Sequence, residues 1–134
     1  MQMPEPDQQI IARRESICAA LGKLVPADSV VASEEGRRAY DADGLSAYRQ
    51  LPLAVVLPET VEQLAAVMKF CHAEGIKVVP RGAGTSLSGG ALPLADAVLV
   101  GLGKFNRILD IDYANRCVVA QPGVTNLSLS LIHI

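Results

Sequence analysis

A chain of 134 residues, 50% of them hydrophobic, can build one ordinary packed domain and is too apolar to stay disordered. Its 12 Lys and Arg against 14 Asp and Glu give a formal net charge of −2, with no basic stripe and 4% aromatic residues, which excludes a nucleic-acid surface or another polyanion as partner. The 3 cysteines, Cys18, Cys71 and Cys117, lie far apart and outside any CxxC spacing, so they read as small apolar residues in a reducing compartment, and no metal site is expected.

The start, Met1 to Asp7, lacks the basic and apolar regions of a secretion signal, and no apolar run reaches transmembrane length. A cytoplasmic protein with a disordered first seven residues is expected. Ile10, Ile11, Ile17, Cys18, Leu21 and Leu24 then recur at helical spacing, predicting one amphipathic helix between Gln8 and Leu24. Val25-Pro26-Ala27-Asp28 ends it, Val30-Val31 reads as a short extended piece, and Ser33-Glu34-Glu35-Gly36 reads as a helix start. The segment Tyr40-Asp-Ala-Asp-Gly-Leu-Ser-Ala-Tyr48 carries turn formers and predicts an irregular connection. Asp41 and Asp43 beside Gly44 lack the spaced acceptors and closing glutamate of a calcium loop.

Leu53-Ala-Val-Val-Leu57, between Pro52 and Pro58, has the pattern of a strand buried on both faces. A helix follows, with Thr60 as cap, Gln63 closing a capping box, an apolar stripe of Val61, Leu64, Ala65, Met68 and Cys71, and Gly75 as a left-handed terminator. His72 in its last turn reads as a surface or capping residue. Val78-Val79 begins the next strand and completes a βαβ unit with parallel strands.

From that strand emerges Pro80-Arg-Gly-Ala-Gly-Thr-Ser-Leu-Ser-Gly-Gly90. Its glycines relax the limit on φ, so successive N–H groups can converge on an anion. Thr85, Ser86 and Ser88 add hydroxyls, and Arg81 adds a cation suited to phosphate oxygens. A flexible surface loop is the commoner fate of such a composition. The position at the carboxyl end of a parallel strand, where α/β sheets hold their ligands, favours a dinucleotide pyrophosphate cradle. The third glycine of a Rossmann fingerprint would fall at Leu87, and the Gly-Lys-Ser/Thr ending of a P-loop is missing.

Ala97 to Leu102 predicts a third apolar strand, while Ile108 to Ile111 and Cys117 to Ala120, joined by turn residues Asp112 to Arg116, predict an antiparallel hairpin. Gln121-Pro122-Gly123-Val124 breaks it, and Thr125 caps a further helix. The fold class is thus α+β: N-terminal helices, a small parallel βαβ lobe, then the start of an antiparallel lobe. No catalytic side chain is identifiable.

Four segments carry a family resemblance: Tyr40 to Tyr48, Pro52 to Pro58, Pro80 to Leu94, and Ile108 through Gln121-Pro-Gly123. Across roughly residues 28 to 128 the chain resembles the FAD-linked oxidases with a vanillyl-alcohol-oxidase-type FAD domain. Asp43-Gly-Leu-Ser-Ala-Tyr48 and Ser88-Gly-Gly-Ala-Leu-Pro93 tilt the likeness toward the FAD-linked D subunits of glycolate oxidases, ahead of D-lactate or D-2-hydroxyglutarate dehydrogenases. The resemblance implies FAD in a cleft between the two lobes, its pyrophosphate on the backbone of Arg81, Gly82, Ala83, Gly84, Thr85 and Ser86, with Gly89, Gly90, Pro122 and Gly123 lining the flavin side. It further implies hydride transfer from a small 2-hydroxy acid, non-covalent flavin, and association with other subunits, including an iron–sulfur subunit, that would place the protein at the membrane periphery.

Such families continue past this point with a substrate domain, so the chain reads as a truncated N-terminal piece, unstable alone and weak in FAD binding, divided into 1–27 (tail and helix), 28–128 (partial FAD-binding domain) and 129–134. Leu129 to Ile134, including His133, resembles a sequencing-transposon translation and reads as a non-native tail, although a natural helix start also fits Leu127, Leu131 and Ile132. The readings from other classes are a non-catalytic anion- or nucleotide-binding module and an inactive fragment.

Overall fold

The computed structural model describes residues 3–131, so Ile132, His133 and Ile134 lie outside the described residues. The predicted first helix is broken into α1 (Gln8–Ala12) and α2 (Arg14–Leu21) at Arg13, whose ψ of 6 leaves the helical range. Asp7, expected to be disordered, instead caps α1 through its carboxylate and donates its own N–H to Asp96 Oδ2 at 2.9 Å.

After a 3-10 turn (Ala27–Ser29) come β1 (Val30–Val31) and α3 (Glu34–Arg38), the latter capped by Ser33 as its sequence predicts. Next are β2 (Ala54–Val56), α4 (Val61–Ala73), β3 (Lys77–Arg81) and β4 (Ala97–Gly101). A four-stranded sheet runs in the order β1-β2-β4-β3, with β2, β4 and β3 parallel and β1 antiparallel at the edge. The predicted parallel relation of β2 and β3 holds, but β4 lies between them.

Thr60 caps α4 by accepting from the Gln63 N–H at 3.3 Å, and Gln63 Oε1 takes the Glu59 N–H at 2.8 Å, one residue further back than a capping box requires. Gly75 ends α4 at φ 66, and the Ile76 N–H reaches Cys71 O at 2.8 Å, which is a Schellman closure. The predicted apolar stripe is corrected. Val61 and Met68 are exposed, whereas Val67 and Cys71 are buried with Leu64 and Phe70 packed beside them. Both arcs are apolar in sequence, and the sheet selects the arc that faces it.

On the helix side, Ala54, Val56, Val98 and Val100 form one core with Ile10, Ile17, Leu21, Val67, Cys71 and Ile76, so the residue 8–21 helices belong to the same core as the sheet. Strand alternation puts Val55, Leu99 and Val79, which are in register across three strands, on the opposite face, and all three are buried. Burial holds the Cys71 thiol protonated, pushing its pKa up to about 11.

Asp96, 2% exposed, joins the amino end of α1 to the sheet, accepting from Asp7 N and from Lys77 Nζ at 2.7 Å. Burial alone would raise its pKa, but the Lys77 ammonium and the Asp7 N–H outweigh it and hold the carboxyl below its ordinary value of 3.8. A depressed folded pKa means stability that is fully present above 3.8 and is lost as pH falls through the lower folded value. Thermal unfolding measured across the acid range should show this loss, and Asp96→Asn should flatten that part of the curve.

The second lobe is the predicted hairpin, β5 (Ile108–Asp112) against β6 (Cys117–Ala120), with a bulge between Ile108 and Asp110. Leu109 and Val119 stand exposed on it. α5 (Asn126–Leu131) follows, its first turn closed by the Ser128 N–H on Thr125 Oγ1 at 3.2 Å. No helix among the described residues is long and apolar enough to cross a membrane.

Candidate functional site

The three parallel strands end at Val56, Arg81 and Gly101, so the segments leaving them share the carboxyl edge of the sheet. Lys104, beyond β4, crosses that edge to Glu59 beyond β2 at 2.6 Å and to the buried Ser29 hydroxyl at 2.9 Å. The glycine loop leaves β3 at the same edge.

Within the loop, Gly84 and Gly89 adopt φ of 73 and 77, the left-handed region that glycine enters without steric cost. Gly82 has no atom within 4 Å of where a Cβ would stand, so its α-carbon faces open space. Among the described residues, the N–H groups of Gly82, Ala83, Gly84, Thr85 and Ser86 make no hydrogen bond, and Ser86 Oγ accepts from the Ser88 N–H at 3.4 Å. A run of successive amides with no internal acceptor, held open by a left-handed glycine, is a donor array suited to an anion.

Arg81 takes a different place from the one its sequence position suggests. Its backbone is the last rung of β3, opposite Gly101, and its carbonyl accepts from the Leu102 N–H at 2.8 Å. Its guanidinium is turned back, donating from Nη1 to Ala42 O at 2.7 Å and Tyr40 O at 3.4 Å and lying 5.7 Å from the Tyr40 ring centroid. A Cβ at Gly84 would stand 2.3 Å from Arg81 Nη2, so the guanidinium packs directly against the Gly84 α-carbon. The guanidinium thus braces the loop against residues 40–42.

That brace is part of a wall. The Gly44 α-carbon abuts the Thr85 and Ser86 carbonyls, where an added Cβ would come within 2.7 and 2.8 Å of the two oxygens. Leu45 Cδ2 lies 3.6 Å from a Cβ position on Gly89. In the sequence, residues 40–48 read as an irregular connection and as one of the segments that carry the family resemblance, with no contact to the glycine loop assigned to them. The glycine after Asp43 was the available signal, but a turn glycine and one pressed against a distant backbone look the same in a sequence.

Just past the end of β4, the Gly123 N–H donates to Phe105 O at 2.7 Å, and a Cβ there would stand 2.5 Å from Leu102 O. Leu102 thus adjoins both Arg81 and Gly123, and the Pro122-Gly123 turn and the glycine loop flank the exit of one strand. His72, on the exposed side of α4, is outside this arrangement.

Comparison with known proteins gives a consistent result. The FAD binding domain family matches residues 52–131. The chain is 48% identical over 117 residues to glycolate oxidase subunit GlcD of Escherichia coli (strain K12), covering 87% of this chain and 23% of that protein. It is 31% identical over 109 residues to D-2-hydroxyglutarate dehydrogenase of Stutzerimonas stutzeri, covering 81% and 24%. The chain therefore spans about a quarter of the length of these relatives. Among solved structures, p-cresol methylhydroxylase superposes with a TM-score of 0.79 at 24% identity, over 97% of this chain and 26% of that one. A 4-ethylphenol oxidase from Gulosibacter chungangensis superposes at 0.80 and 23% identity, over 98% and 26%. At these identities the structural likeness establishes the fold.

Proposed function

The chain belongs to the FAD binding domain family, with FAD as cofactor, and from that premise we propose that it is the FAD-holding portion of a flavin-dependent 2-hydroxy-acid dehydrogenase of the glycolate oxidase D-subunit type. The proposed unit is residues 28–128. Gly82 through Ser86 bind the pyrophosphate through their main-chain N–H groups, Arg81 fixes the loop from behind, and Gly89, Gly90, Pro122 and Gly123 line the flavin side. The observation that carries this reading is the unpartnered amide run of Gly82 to Ser86 at the carboxyl edge of the parallel sheet.

FAD, when bound, supplies the hydride acceptor for the carbon bearing the substrate hydroxyl. The chain's share is placement. The unpartnered amides of Gly82 to Ser86 supply donors for the diphosphate charge, the open Gly82 α-carbon permits close approach, and the Gly44 contact braces the loop. Glycolate, oxidised to glyoxylate, is the proposed substrate, because identity to the glycolate oxidase subunit exceeds identity to the D-2-hydroxyglutarate enzyme, 48% against 31%. Other subunits of such an oxidase, including an iron–sulfur subunit, are the proposed partners.

Purification of the whole polypeptide containing these residues tests the reading. A flavin absorbance spectrum in the protein peak, with FAD released on denaturation, is the expected result, and dye-linked turnover should be faster with glycolate than with D-lactate or D-2-hydroxyglutarate. A colourless protein that releases only phosphate or a simple nucleotide would replace this reading with a non-redox anion module.

A further inference from the structure

The four-stranded sheet ends in two edge strands, and a free edge is a template on which another chain can lay a strand. One of them, β1, offers only Val30 and Val31. The other, β3, runs for five residues and pairs with β4 alone among the described residues, so its outer side is the longer open edge.

Two hydrogen bonds fix which β3 groups point outward. Ala97 O accepts from the Leu53 N–H at 2.9 Å on the β2 side of β4, and Arg81 O accepts from the Leu102 N–H at 2.8 Å on the β3 side. In a parallel ladder the N–H and C=O of one residue point the same way, and successive residues point to opposite sides. Lys77, Val79 and Arg81 therefore face β4, while Val78 and Pro80 face out. Proline has no N–H, so at this position it costs the ladder nothing and deletes a donor from the edge. Two residues before Val78, the Ile76 N–H is taken by Cys71 O at 2.8 Å in the closure of α4. Val78 is left as the one outward donor between Ile76 and Arg81.

The side chains beside this edge are apolar. Leu64, Met68, Val78, Pro80, Val100 and Leu102 line a groove of about 280 Å³ there, and Met68 is 45% exposed. A strand laid along β3 would gain main-chain hydrogen bonds and apolar burial together.

We propose that Pro80 closes the outer edge of β3 to strand addition and so keeps a second copy of the chain from extending the sheet. A single donor cannot hold an incoming strand in register. An N–H at position 80 would give two, at the alternate-residue spacing that a ladder uses.

Pro80→Val in the whole polypeptide is the test, because valine restores the N–H and favours strands. Light scattering should show a mass that rises with concentration more steeply for P80V than for wild type. Hydrogen exchange should find the new amide at position 80 exchanging freely in dilute protein and slowed by about tenfold or more where the protein associates. A mass profile like that of wild type overturns the proposal. Protection of the amide even in dilute protein overturns it as well, since the polypeptide itself would then cover the edge. Association without slowing at position 80 marks aggregation of a misfolded chain and rejects edge pairing. A P80V chain that does not fold rejects it too, because the fold would then require the proline ring and not the missing donor.

Discussion

Gly44→Ala should lower FAD affinity by about 100-fold or more, since displacements near an ångström in a preorganised site cost on that order. The cause is geometric. The new methyl would stand 2.7 Å from Thr85 O, 2.8 Å from Ser86 O and 2.9 Å from Thr85 C, all of them backbone atoms with no rotamer to move. The wall and the loop must then part, the Arg81 bonds to Ala42 and Tyr40 stretch, and the amide run loses its shape. FAD titration of the variant measures the effect, and Gly103→Ala, where no atom lies within 4 Å, is the matched control expected to bind like wild type. A Gly44→Ala protein with wild-type affinity would show that residues 40–48 do not shape the loop.

Leu99→Ala should be the most damaging core truncation, at about 2–5 kcal/mol, from lost apolar burial plus the cavity left behind. Leu99 is 0% exposed at the middle of β4, paired with Val55 on one side and Val79 on the other. Strands on both sides restrain the collapse that would fill the void. Against a typical total of about 5–15 kcal/mol this removes a large share of the fold's stability. Urea unfolding should show a lower midpoint at unchanged slope. Leu109→Ala, at a site 57% exposed, should move stability by less than about 0.5 kcal/mol. Equal effects at the two positions would refute the placement of β4 at the centre of the sheet.

Much of this architecture is written locally in the sequence. The Thr60 cap, the Gly75 terminator, the β2–α4–β3 order, the loop at a strand's carboxyl end and the β5–β6 hairpin each follow from a few neighbouring residues and recur in the structure. What the sequence conceals depends on partners far along the chain. Two apolar arcs compete on α4, and only the sheet decides that Val67 is buried and Met68 is not. Arg81 reads as a phosphate ligand because the carbonyls of Tyr40 and Ala42 that hold it are some 40 residues earlier, at separations of 41 and 39. Asp43 lies in a polar, turn-rich segment and is nonetheless only 7% exposed, a burial that nothing in its local pattern marks.

The insertion of β4 between two strands made before it also orders events at the ribosome. While synthesis proceeds at about 5–20 residues per second, β2 and β3 wait on opposite sides of an empty slot, neither having its parallel neighbour. Until β4 emerges and pairs, β2 and β3 each keep an unpaired edge toward the empty slot, the kind of edge that recruits a strand from another chain.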